Sequence, residues 1–327
     1  MMAKPKLSVI LPNYGIPADR FTSYGKDDKD IFAMIDICGK QGLAKGVELL
    51  LGDSTICINK KNMKDVSTAL KNNNLLPIAI LPITWGTDFV KGSLGNADPK
   101  TRRKAIDLVK SAMDMAAEME CPYVGQWPGQ DGTDYYFDAD YQKLYEWWVT
   151  GMQELADYNP KIKLGLEPKP FEPRAYSFID KPVKTLLLMR DINRKNVGLT
   201  LDIGHSMFGH DNLGEVVALA QKDGKLFHLH MNDNYGEMDW DMAFGSVHFI
   251  GLVEFIYWLV RTKYEGWHSV DIFPYRTDPA ATVLESLKWM QAMYDLVEKA
   301  GMKNLDALIE KRDGVAMLRF FRELLFQ

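Results

Sequence analysis

IKLGLE (residues 162–167), VGLTLD (197–202), LFHLHM (226–231) and WHSVDI (267–272) decide how this chain folds. Each is a short, mainly apolar run that carries a carboxylate or an imidazole at or near its end. Near-continuous apolar runs fit strands buried on both faces, as in a parallel sheet. Four earlier runs have the same character: KLSVIL (6–11), GVELLL (46–51), LPIAIL (76–81) and PYVGQ (122–126). Between the runs lie helical patterns, among them residues 30–41, 101–120, 141–158 and 251–261. Strand–helix alternation repeated in this way predicts an α/β fold, a (β/α)8 TIM barrel. A doubly wound open sheet is the rival, weakened because no glycine-rich phosphate fingerprint follows the first run.

No shift of composition divides the chain, so the reading is one barrel domain, residues 1–303, with a C-terminal helical tail, residues 304–327. The tail ends in VAMLRFFRELLF (315–326), where Phe320, Phe321, Leu324 and Leu325 form a stripe. That stripe needs cover, from the barrel or from another subunit.

The 327 residues are 46% hydrophobic and 25% charged, with a net charge of −5. This is the mixture of a globular protein and excludes a disordered or collagen-like chain. The acidic balance argues against nucleic acid as a partner. Cys38, Cys57 and Cys121 are too few and too scattered for a disulfide framework or a zinc cluster, and read as reduced thiols. The apolar run at residues 7–11 is too short for a signal peptide or a membrane span, so a cytoplasmic chain is expected. With 8 Trp, 14 Tyr and 15 Phe, the chain can line a pocket with rings that hold a sugar.

In such barrels the functional residues sit at the C-terminal strand ends, where the loops open. The last four runs deliver Glu167, followed by a rigid ProLysPro segment; Asp202, with His205 behind it; His228 and His230, followed by Asn232 and Asp233; and Asp271. Taken singly, each has a bland reading: a solvated loop Glu, an N-cap Asp, a core imidazole. Taken together, converging carboxylates would repel one another unless a cation sat among them. Oxygen-rich ligation with one imidazole suits Mn²⁺, Mg²⁺ or Co²⁺ better than a structural zinc. Asp239 and Asp241 alternate in MDWDMAFG (238–245), either facing a second cation near His205 or forming a solvated acidic loop.

LEPKPFEPR (166–174), GKLFHLHMND (224–233), the MDWDMAFG stretch, VDIFPYRTD (270–278) and QWPGQDG (126–132) together resemble xylose isomerase and its superfamily in order and spacing. The resemblance implies that Glu167, Asp202, His230 and Asp271 hold a divalent metal, Mn²⁺ first among the candidates. It implies that His205, Asp239 and Asp241 correspond to residues around the isomerase's second metal. By the same resemblance Lys169 polarises the substrate carbonyl, Trp127 and Trp85 wall the sugar pocket, and Arg276 of the FPYR block contacts the substrate.

The departures carry information. Xylose isomerase has Glu at the position of Asp202 and Asp at that of His230; ketose epimerases share the His but have Glu at the position of Asp271. All six His lie at or beyond position 205, so the ring-opening histidine that xylose isomerase places early in its barrel is missing. A sugar whose carbonyl is already free would not need it. One such substrate is a 3-keto glycoside, where proton removal beside the ketone gives an enediolate that can expel the group at C1. That is the chemistry implied for the catalytic α subunits of bacterial C-glycoside deglycosidases, which look like members of the same superfamily and with which the loop NDNYGEMDWDMAFGSVH (232–248) and the FPYR block (273–276) are compatible. Glu167, His205 and His248 are the candidate bases. Aldose–ketose isomerisation and ketose 3-epimerisation are the rival activities, and a non-catalytic sugar-binding subunit is the rival of another class. A sugar or glycoside ligand and an oligomer, with a small companion subunit in the deglycosidase reading, are the expected partners; a DNA-cleaving relative would need more His and a basic face.

Overall fold

The computed structural model describes residues 4–15, 24 and 29–326. The eight apolar runs become the eight strands of one closed parallel barrel. In chain order the strands are β1 (Lys6–Ile10), β2 (Gly46–Leu51), β3 (Leu76–Pro82), β4 (Tyr123–Gln126), β5 (Gly132–Thr133), β6 (Lys163–Leu166), β7 (Tyr176–Ser177), β8 (Val197–Asp202), β9 (Leu226–Met231) and β10 (Trp267–Val270). Around the barrel the order is β1-β10-β9-β8-β6-β4-β3-β2, while β5 and β7 pair with each other outside it.

The helices are α1 (Ile31–Gln41), α2 (Met63–Asn72), α3 (Pro99–Glu118), α4 (Tyr141–Tyr158), α5 (Pro182–Ile192), α6 (Ile203–Phe208), α7 (Leu213–Lys222), α8 (Phe249–Arg261), α9 (Pro279–Ala300), α10 (Met302–Lys311) and α11 (Gly314–Phe326). Side-chain oxygens start several of them. Asp30, Asp98, Asp140, Asn212 and Asp278 each accept a hydrogen bond from a backbone N–H of the first turn of α1, α3, α4, α7 and α9. Pro99, Pro182 and Pro279 occupy first-turn positions, where a missing N–H costs nothing.

Inside the barrel the layer below the mouth is polar rather than branched-apolar. Ser8 meets Ser269 at 2.9 Å, the Tyr123 hydroxyl meets Thr200 at 2.5 Å, and Glu48 lies between His228 and His230. The Tyr123 hydroxyl reaches Thr200 only because position 165 is glycine: a Cβ there would run into both hydroxyl groups. Outside, the strands bury their other faces on the helices, with Val9, Leu49, Ile80, Val124 and Leu199 fully buried.

The four residues of the tail's stripe all lie against the chain's own core. Phe321 is buried and Phe320, Leu324 and Leu325 are partly buried. Phe321 shares a shallow apolar hollow with Val253 and Tyr257 of α8 and Leu305 and Leu308 of α10. Within the chain, α8 and α10 thus cover Phe321, while Phe320, Leu324 and Leu325 keep part of their surface exposed. Among the described residues no helix is long and apolar enough to cross a membrane. The three cysteines are buried thiols.

His268 on β10 faces outward, its Nε2 2.7 Å from the Tyr294 hydroxyl on α9. Burial pulls its imidazole down from 6.5 to about 3. The unfolded chain therefore binds a proton that the native state refuses between those two values. The stabilisation is complete above pH 6.5 and is lost as pH falls toward 3, at about 1.4 kcal/mol per pH unit. Urea denaturation at pH 7 and pH 5 should show a larger loss for the wild type than for His268→Gln; equal losses would contradict this.

Candidate metal and sugar site

Register brings the four strand-end groups together. Asp202 on β8 stands directly opposite His230 on β9, and Glu167 and Asp271 follow β6 and β10 on either side. One ligand atom from each of Glu167, Asp202, His230 and Asp271 lies within 4.8 Å of the others. His230 Nδ1 is 3.4 Å from Glu167, 3.9 Å from Asp202 and 3.3 Å from Asp271. It is buried and makes no hydrogen bond. The other ring nitrogen, Nε2, is 3.3 Å from Glu48.

Burial would lower the His230 imidazole, but Glu167, Glu48 and Asp271 prevail and raise it well above its ordinary value, so the carboxylates favour a positive charge at this point. A divalent cation would take the place of the Nδ1 proton, with the Nε2 proton still given to Glu48. Hard oxygens plus one imidazole form a donor set suited to Mn²⁺, Mg²⁺ or Co²⁺. Titration of Asp202 reports the same crowding: burial, then Glu167, Asp271 and Asp239, push its carboxyl up to about 7 despite nearby His205. For Glu167 the burial effect is outweighed by His230 and His205, which hold it below the usual carboxylate range.

Asp202 has a second task. Its Oδ1 accepts the backbone N–H of His205 at 2.9 Å and so caps α6. This fixes His205 one turn beyond the cluster, with Nδ1 3.1 Å from the Pro168 carbonyl and Nε2 3.3 Å from Asp239. Burial would lower the imidazole's pKa, but Asp202 and Asp239 prevail and raise it to about 9. His205 therefore rests protonated at neutral pH, with acceptors at both nitrogens.

The second acidic pair divides. Asp241 joins Asp202 and His205 in a trio whose ligand atoms lie within 4.8 Å, and the Asn232 amide donates to both Asp202 and Asp241. Asp239 instead contacts Lys169 at 2.5 Å as well as His205. Burial would raise the Asp239 carboxyl, but His205 and Lys169 hold it well below the usual range. Lys169 also meets Glu172 at 3.0 Å and lies 5.4 Å above the Trp127 ring. Trp85 packs edge-on against Trp127, with ring centroids 5.2 Å apart. Lys169, Trp127 and Trp85 thus stand side by side.

Two expected site residues stand apart from this web. His248 precedes α8, with Nδ1 2.9 Å from the buried Asp233, which also accepts the backbone N–H groups of Val247 and His248. Arg276 is exposed on the loop after β10. Sequence reasoning missed Glu48, Asn232 as a clamp between Asp202 and Asp241, and Asp131. The buried Asp131 carboxylate accepts from Ser93 N and Oγ, Gly95 N and Trp148 Nε1, tying the loop after β3 to that after β4. A charged residue amid the apolar run GVELLL was the available signal for Glu48.

A closed parallel barrel with carboxylates and imidazoles gathered at its C-terminal mouth defines a class of barrel proteins with a candidate divalent-metal site. The family described as xylose isomerase-like TIM barrel matches residues 40–293, and the chain belongs to that family. It is 27% identical over 196 residues to the xylose isomerase of Thermus thermophilus, a match covering 58% of this chain and 51% of the relative. The chain thus aligns with about half the length of the curated relatives it matches. Among solved structures, a D-tagatose 3-epimerase-like protein superposes with a TM-score of 0.66 at 20% identity, covering 89% of this chain and 98% of that one. The 3-keto-D-glucoside 4-epimerase YcjR of E. coli does so with 0.65 at 17% identity, covering 88% and 100%.

Ligand binding to the native state alone adds about 2.7 kcal/mol of stability at a hundredfold excess over Kd. Adding Mn²⁺ to chelator-treated protein should raise the denaturation free energy by about that amount at such an excess. Asp202→Ala and His230→Ala should abolish the gain. A wild type indifferent to Mn²⁺, Mg²⁺ and Co²⁺ would contradict the site.

Proposed function

We propose that this chain is a divalent-metal-dependent enzyme that removes a proton from the carbon next to a sugar carbonyl, and that its substrate is a 3-keto glycoside. The observation that carries the metal-dependent core of this reading is the unpartnered Nδ1 of His230 among Glu167, Asp202 and Asp271. Those four residues would hold the cation, with Mn²⁺ the first choice. Bound there, a divalent cation supplies Lewis-acid polarisation of a carbonyl and its neighbouring oxygen.

The remaining work falls to side chains. Trp127 and Trp85 offer apolar faces to the sugar ring, and Lys169 carries positive charge over the same wall toward the carbonyl oxygen. Glu167, an ionised carboxylate 3.4 Å from the imidazoles of both His205 and His230, takes the proton from C2. His205 rests protonated and acts as an acid rather than a base. His248, oriented by Asp233, is the second candidate for proton transfer at the leaving group.

The favoured outcome is elimination. The C2–H electrons form the C1=C2 bond, the bond from C1 to the aglycone breaks, and the departing carbon takes up a proton. The free ketone is proposed on two supports: no histidine precedes His205 in this sequence, and a structural neighbour is named for a 3-keto-D-glucoside. Ketose 3-epimerisation is the second reading, favoured by the epimerases among the structural neighbours. There the proton returns to the opposite face of the same carbon. A purely sugar-binding role would leave the converging carboxylates without a purpose.

Incubation of the Mn²⁺-loaded protein with a 3-keto C-glucoside in D₂O should release the aglycone. Glu167→Gln should slow this by roughly 10²–10⁴-fold, the usual weight of a general base. Deuterium at the carbon beside the ketone with no release would favour epimerisation. Rapid interconversion of D-xylose and D-xylulose with 3-keto glycosides untouched would overturn the substrate assignment.

A further inference from the structure

We propose that Glu48 is the positioning residue of this metal centre: from across the barrel it fixes His230 so that Nδ1 faces Glu167, Asp202 and Asp271. The inference rests on the metal reading above and extends it to a residue that touches neither sugar nor cation.

Glu48 belongs to β2, and His230 to β9; β1 and β10 separate them around the barrel wall, so the contact crosses the lumen. The Glu48 side chain is fully buried. A buried carboxylate needs donors at both oxygens, and here both are imidazoles. Oε1 lies 2.6 Å from His228 Nε2 and Oε2 lies 3.3 Å from His230 Nε2.

The consequence is a fixed tautomer. An imidazole that gives Nδ1 to a cation keeps one N–H, on Nε2, and an acceptor there holds it. On His230 that acceptor is Glu48, and Nδ1 is the nitrogen that stands among the three carboxylates. Outer carboxylates that hold a ligating imidazole in this way contribute to metal affinity without touching the metal.

His228 completes the device. By holding Oε1 it sets the plane of the carboxylate and leaves Oε2 for His230. It is itself braced by the Tyr123 ring, with centroids 5.2 Å apart. Two histidines two residues apart on β9 thus divide the work: one faces the site, the other aims the carboxylate that aims the first.

The test is calorimetric titration of the chelator-treated full chain with Mn²⁺, paired with thermal melts without metal. The wild type should bind one Mn²⁺ per chain. Glu48→Gln offers one acceptor oxygen to two imidazoles, and its Kd should rise by about 10–100-fold while the metal-free melting temperature stays near wild type. His228→Gln keeps an N–H donor for Glu48 and should retain near wild-type affinity, whereas His228→Leu should weaken binding as Glu48→Gln does. This second pair decides the matter if Glu48→Gln does not fold.

Wild-type affinity in Glu48→Gln, or equal affinities in the two His228 variants, would overturn the inference while leaving the metal site intact. Two Mn²⁺ per wild-type chain, with one lost in Glu48→Gln, would make Glu48 a ligand and also overturn it. Failure of the wild type itself to bind metal would remove the metal reading and this inference with it.

Discussion

Burying like charges together is the constraint on which this site depends. Glu167, Asp202, Asp239 and Asp241 are buried, and Asp271 is partly exposed, at one end of one barrel. Each carboxylate raises the cost of ionising the next, and the low dielectric of the interior magnifies that cost. The protein supplies some counter-charge of its own, through Lys169 against Asp239 and the protonated His205. In the space that Glu167, Asp202 and Asp271 share with His230 Nδ1, the counter-charge is the His230 imidazole, which burial alone would lower but Glu167, Glu48 and Asp271 raise well above its ordinary value. A divalent cation would take the place of its Nδ1 proton and, in the proposed function, would supply the Lewis acid for a sugar carbonyl.

The barrel is arranged to hold that conflict still. Direct pairing of Asp202 with His230 sets the spacing across β8 and β9. Asp202 then starts α6, so that the residue expected to bind metal also fixes where His205 stands. Below, the hydrogen-bonded layer of Glu48, His228, Tyr123 and Thr200 replaces the branched side chains usual in such barrels. Each polar contact in that layer satisfies a buried group, which keeps the interior rigid under the site.

The fold was legible because a strand buried on both faces reads as an apolar run, and all eight runs became barrel strands. That Glu167, Asp202, His230 and Asp271 gather was legible for a related reason: strand ends in a barrel point at one mouth, so position along the chain translates into position in space. Glu48 was not legible as a partner of His228, because that contact joins residues 180 apart in the chain and exists only once the barrel closes. The roles of Asp239 and Asp241 could not be read from their alternation alone, since the ion pair of Asp239 is with Lys169, contributed by the loop after β6. The tail's apolar stripe was visible, but the cover of Phe321 came from α8 and α10, elements whose faces the stripe itself does not reveal.

The central claim is that a cation sits among Glu167, Asp202, Asp271 and Nδ1 of His230. Anomalous scattering from crystals grown with Mn²⁺ tests it directly. The account predicts a strong peak bonded to His230 through Nδ1 and to the three carboxylates, with Nε2 still on Glu48. A peak on the Nε2 side, between Glu48 and His228, or no peak in the mouth of the barrel, would contradict it.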